Sequence, residues 1–135
     1  MKELMLDAVI ENIPQVMEWV DAQLEALDCP PRAQMQIDIA IDELFSNIAR
    51  YAYSPDIGPA TVRIEAEENP PAVIITFLDH GIPFDPLKRD DPDVTRTLED
   101  REIGGLGIFM VKKTMDEIRY EYKDGKNILR IKKKI

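Results

Sequence analysis

Cysteine and histidine are almost absent from this chain: Cys29 is the only thiol and His80 the only imidazole in 135 residues. A lone cysteine closes no internal disulfide, and one Cys with one His argues against a zinc site built from Cys and His. Long apolar runs are missing as well. The longest, such as Val73 to Leu78, fall far short of the roughly 20 residues that cross a bilayer. The start, Met1-Lys2-Glu3, carries an acid and lacks the apolar stretch of a signal peptide. Basic charge is in short supply: 17 Lys and Arg against 26 Asp and Glu give a net charge of -9 and a pI of about 4.6. Neutralising phosphates takes the opposite sign, so direct nucleic-acid binding is not expected. A cytoplasmic protein that makes no membrane contact is the expectation these absences leave.

What is present is an ordinary globular balance, 44% hydrophobic and 32% charged, at a length that suits one domain over 1–135. Charge is unevenly placed. From Lys112 to Ile135 there are nine basic residues against four acidic ones. The terminal Arg130-Ile131-Lys132-Lys133-Lys134-Ile135 reads as a strand with a polar face, a solvated edge blunted by lysines.

Periodicity gives the elements. Met1 to Asp7 reads as a short strand. Asn12 is a candidate N-cap with Pro14 in the first turn, and Ile13, Val16, Met17, Val20, Leu24 and Leu27 recur at helical spacing. Cys29-Pro30-Pro31 ends that helix. Ile37, Ala40, Ile41, Leu44, Phe45, Ile48 and Ala52 then form one broad stripe of a second helix, stopped by Tyr53-Ser54-Pro55. Ala60 to Glu67 and Ala72 to Asp79 are strands, the latter apolar enough to be central. Phe84 to Glu102 shows no stripe and predicts a lid. A glycine-rich helix start follows, then a hairpin turned at Asp124-Gly125. Helices grouped between paired antiparallel strands imply an α+β two-layer sandwich.

Three elements carry chemistry. Glu43 and Asn47 stand four residues apart, so both project from one face of the long helix. A carboxylate can take a proton from a hydroxyl, and an amide carbonyl is a neutral oxygen ligand suited to Mg²⁺. Asp79-His80-Gly81 ends the second inner strand, where an acid can accept a hydrogen bond from an exocyclic amine and a glycine lets the backbone approach a flat ligand. Gly104-Gly105-Leu106-Gly107 opens a helix, and backbone N-H groups there attract anions. Each alone has a plain structural explanation: a solvated helix face, a turn, a tight corner. Lys112, Lys113, Arg96 and Arg101 read first as solvated charges, and His80 as an exposed loop residue.

Taken in order, the set resembles the N, G1 and G2 boxes of the GHKL ATPases, and within them the anti-sigma-factor serine kinases. The matching stretches are Ile41-Asp42-Glu43-Leu44-Phe45-Ser46-Asn47-Ile48-Ala49-Arg50-Tyr51-Ala52-Tyr53, then Asp79-His80-Gly81-Ile82-Pro83-Phe84-Asp85-Pro86, then Gly104-Gly105-Leu106-Gly107-Ile108-Phe109-Met110-Val111. The resemblance implies the Bergerat fold, a mixed, mostly antiparallel sheet with helices on one face and a lid at about 84–104. It implies ATP and Mg²⁺ as cofactors and a serine kinase that regulates a sigma factor by phosphorylating a STAS-domain anti-anti-sigma factor. A homodimer is compatible with it. Carried over residue by residue, Glu43 falls on the general base and Asn47 on the Mg²⁺ ligand. Asp79 falls on the carboxylate for the adenine amine, Gly81 on the glycine beneath the base, and Gly104, Gly105 and Gly107 on the phosphate-side lid. Pro83 departs from the wider pattern, which has a second glycine there. A regulator that holds nucleotide, or nothing, and works only by sequestering partners is the alternative.

Overall fold

A computed structural model describes residues 1–88 and 105–135. The elements run β1 (Lys2–Asp7), α1 (Ile13–Ala26), α2 (Pro31–Asn47), a π-helical turn (Ile48–Ala52), β2 (Pro59–Glu67), β3 (Ala72–Asp79), α3 (Gly105–Thr114), β4 (Glu117–Lys123) and β5 (Lys126–Lys134). Arg96, Arg101, Gly104 and most of the expected lid lie outside the described residues.

The expected α+β sandwich forms. The sheet order is β1-β2-β3-β5-β4, and all four pairings are antiparallel. β3 takes the centre because Ala72 to Leu78 is apolar but for Thr76 and can bury on both faces, and all eight of its residues are buried. On its inner face Val73, Ile75 and Phe77 meet the helices through Val16, Val20, Ile37, Ile41, Leu44 and Phe45. The helical stripes read from the sequence are therefore the core stripes. Phe45 and Phe77 are among the largest side chains withdrawn fully from water.

Two local expectations change. β5 is not an edge strand: it pairs with β3 on one side and β4 on the other, because the hairpin docks through its second strand. Its lysines are used on the spot, Lys132 with Glu67 and Glu117, and Lys133 on the carbonyl of Thr114. Asn12 occupies the N-cap position of α1 but does not cap it. Its side-chain amide donates instead to the Asp7 carbonyl at 2.9 Å, tying the helix start to β1. The hairpin turn behaves as read: Asp124 and Gly125 both have positive φ, 53° and 74°, the twist that a two-residue turn between antiparallel strands demands.

Candidate active site

The long helix α2 supplies one wall of the site. Its stripe of buried apolar residues locks its rotation, so Glu43 and Asn47, one turn apart, are held at the boundary between core and solvent, both half-buried. The helix then widens into the π-helical turn Ile48–Ala52, whose last residue is buried against the loop after β3. Such widened turns displace the backbone at functional places. Here the Ala52 carbonyl is left to accept the N-H of Ile82 at 2.9 Å.

β3 supplies the floor. Asp79, its last residue, is only 4% exposed. Its Oδ1 accepts two hydrogen bonds of 2.9 Å, from the Gly81 N-H and from the side-chain amide of Asn127. Gly81 is demanded by packing rather than by its dihedral angles. A Cβ at this position would sit 2.2 Å from the Ala52 carbonyl oxygen, so any side chain would drive the loop off the helix end. His80 points outward, and its N-H donates to the Tyr53 hydroxyl at 2.8 Å. Pro83 is exposed, and the amides on either side of it carry the loop's hydrogen bonds, Ile82 N-H to Ala52 and Phe84 N-H to Asn127 and Tyr120. A missing N-H at position 83 therefore costs the loop nothing.

Asp79, Asn47, Asn127, Tyr120, Ile82 and Phe84 line one pocket together with apolar residues of α2 and the sheet. An apolar slot with an acid at its base suits a flat heterocycle carrying an amine. Phe84, from the pocket lining, meets Tyr51 with ring centroids 5.6 Å apart. Burial pushes the Tyr120 phenol above its usual range, with the charges of Asp85 and Asp79 adding to the effect. The same burial raises Tyr53, against the pull of the His80 N-H. Both hydroxyls stay protonated at neutral pH and can donate.

The third wall is the start of α3, packed on α2. Gly107 lies in its first turn, directly under Glu43: a Cβ there would fall 2.1 Å from Glu43 Oε2. The sequence-predicted residues thus converge along α2, with Glu43 at the glycine-rich helix start and Asn47 one turn further on, opening into the Asp79 pocket. Gly105 begins α3; Gly104 lies outside the described residues. Lys113 lies over the Phe109 ring at 5.4 Å, a local contact on α3.

Sequence reading missed Asn127 and Tyr120. Asn127 pairs directly with Asp79 in the sheet and is 6% exposed. The available signal was its position: Asn127, Leu129 and Ile131 alternate inward along β5, so a polar amide sits where the pattern calls for an apolar side chain.

A family model described as a histidine kinase-like ATPase domain matches residues 6–133. The chain belongs to this family. Relatives of the histidine kinase-like ATPase domain in hand include the serine/threonine-protein kinase BtrW of Bordetella bronchiseptica, 28% identical over 98 residues that make up 73% of this chain and 68% of that protein. The serine-protein kinase RsbW of Bacillus thuringiensis is 31% identical over 98 residues, 70% of this chain and 60% of that one, and RsbW of Bacillus anthracis is 29% identical over the same share. The match thus spans under two thirds of the RsbW proteins. An ATPase domain of this family implies ATP binding. Among the described residues, no helix is long and apolar enough to cross a membrane.

Proposed function

We propose that this protein is an ATP- and Mg²⁺-dependent serine/threonine protein kinase that acts as an anti-sigma regulatory factor and phosphorylates a serine of a STAS-domain anti-anti-sigma factor. The observation that carries the reading is the seat of Glu43. Its carboxylate lies on Gly107, at the first turn of α3, and on the same helix face as Asn47, which opens into the pocket of Asp79. Holding a nucleotide calls for the pocket and the helix start; it does not call for a carboxylate between them. Taking a proton from a hydroxyl does.

The adenine would sit on the Asp79 side with its amine toward the carboxylate, between Ile82 and the apolar end of α2. The phosphates would lie toward the α3 start, where backbone N-H groups and the helix dipole favour anions. Asn47 fits a Mg²⁺ site. Its half-buried amide lies between those two ends, and Mg²⁺ commonly takes few protein ligands and completes its shell with phosphate and water. The metal would neutralise phosphate charge. Glu43 would hold the proton of the incoming serine hydroxyl, and the chain's main contribution is to position both partners. The relatives, a serine/threonine-protein kinase and serine-protein kinases by name, support the kinase reading. A sigma factor as second partner, a homodimer and a cytoplasmic setting belong to the same proposal.

Incubation with γ-labelled ATP, Mg²⁺ and candidate STAS-domain proteins tests it. The expected result is label on a partner serine. ATP binding with no transfer to any such protein would replace the kinase by a nucleotide-holding sequestration module.

A further inference from the structure

The pocket's polar wall is held by two residues of the β4–β5 hairpin, and their hydrogen bonds define a role for each. Asn127 has two N-H donors and one carbonyl oxygen that accepts twice. One donor goes to Asp79 Oδ1 at 2.9 Å and the other to the Ile82 carbonyl at 2.8 Å, with the Gly81 carbonyl at 3.5 Å beside it. The carbonyl oxygen accepts the Phe84 N-H at 3.1 Å and the Tyr120 hydroxyl. Every hydrogen-bonding site of the amide is taken by protein, so Asn127 is not itself the reader of a ligand. It fixes the reader. With the Gly81 N-H also on Asp79 Oδ1, the carboxylate cannot turn, and Oδ2 is the oxygen left to meet a ligand.

Tyr120 decides how firmly this arrangement holds. Its hydroxyl donates to Asn127 and accepts the Phe84 N-H at 3.2 Å, so one group ties the amide to the far end of the loop 80–84. The flipped amide would set its oxygen against Asp79 and the Ile82 carbonyl. With the hydroxyl and the Phe84 N-H on the opposite side, the amide has donors for its oxygen only in the observed orientation.

We propose that Tyr120, acting through Asn127, is a positioning residue that sets the base specificity of the Asp79 pocket, so that it accepts a heterocycle presenting an amine and rejects one presenting a carbonyl. This rests on the ATP-binding reading above. If it is right, loosening the tie should blur the choice of base more than it weakens the fold.

Calorimetry of Mg²⁺-ATP and Mg²⁺-GTP binding to the whole chain tests this with two variants. Tyr120→Phe keeps the ring and removes the tie. ATP should bind about fivefold more weakly, the worth of one ordinary hydrogen bond, and the ATP-to-GTP preference should narrow by a similar factor. Asn127→Asp puts a second carboxyl against Asp79. At about pH 8 the two charges repel and ATP binding should fall by tenfold or more. Lowering the pH lets the pair share a proton, which restores a donor to Asp79, and affinity should recover as the pH falls. The titratable groups near the pair are Tyr53 from the π-helical turn, Tyr120 and Tyr122 from β4, and Asp85 from the loop; the exposed His80 points away from it. Wild type carries all of them and is the control for their own titration. An unchanged ATP-to-GTP ratio in Tyr120→Phe, or a pH response of Asn127→Asp equal to wild type, would overturn the role of the hairpin pair while leaving the kinase reading intact. Absence of ATP binding by wild type would overturn both.

Discussion

The carboxylate of Glu43 rests on Gly107, in a space that a single methyl group would occupy: a Cβ on the glycine would lie 2.1 Å from Oε2 and 2.2 Å from Cδ. The clash is with the end of a side chain, not with backbone, so the carboxylate can be pushed aside without unfolding the helix. Gly107→Ala should therefore separate stability from chemistry. Alanine favours a helix over glycine by roughly 0.5–1 kcal/mol, so the melting temperature should hold or rise. Phosphoryl transfer should fall by about a hundredfold, the cost of misplacing a group by about 1 Å. Thermal denaturation and transfer assays on the same preparation check both halves.

Asp79→Asn addresses the other end of the site. The amide oxygen can keep the bonds from Gly81 and Asn127, so the fold should survive. The amide nitrogen would then face the adenine amine, donor against donor. Loss of a hydrogen bond to a charged group is worth about 1.5–3 kcal/mol, so ATP affinity should drop roughly 10- to 100-fold. Equilibrium binding, with circular dichroism to confirm the fold, measures it.

A third prediction concerns the helix pair behind the site. Asp21 Oδ1 on α1 and Asp38 Oδ1 on α2 are both withdrawn from water with no donor. One proton held between the two carboxyls satisfies both. Burial, then the hydrogen bond that the protonated Asp38 donates to Asp21 and the charge of Asp21, push Asp38 up to about 7. The unfolded chain would release that proton near pH 4. The native state thus holds this proton over the interval, and the pair's contribution to stability declines as pH rises from about 4 through about 7. Asp38→Asn, which supplies an amide donor at every pH, should flatten the decline and be the more stable form at about pH 8. Urea denaturation midpoints across that range measure the slope.

Much of this was legible in the chain. The α2 stripe announces both the helix and the face that bears Glu43 and Asn47, because a helix repeats every few residues and carries its own geometry. β3 and the Asp124-Gly125 turn are equally local signals. What was not legible depended on partners distant in sequence. The hairpin turn says that β4 pairs with β5 but not which of the two docks on β3, so β5 was read as an edge. Asn127 and Tyr120 join the site only because β5 pairs with β3 in the register that sets Asn127 opposite Asp79, 48 residues away. Asp21 and Asp38 look like solvated acids until the α1–α2 packing brings them together. Asn12 shows the limit of a local rule, since its amide found the Asp7 carbonyl instead of the helix N-terminus.

The central claim is that Glu43 serves phosphoryl transfer and not nucleotide binding. The most direct measurement compares wild type with Glu43→Gln for Mg²⁺-ATP affinity and for transfer of label from γ-labelled ATP to a STAS-domain serine. The account predicts affinity within about threefold of wild type and transfer reduced by 10²-fold or more, the contribution of a positioned general base. Equal transfer by the two proteins would contradict it.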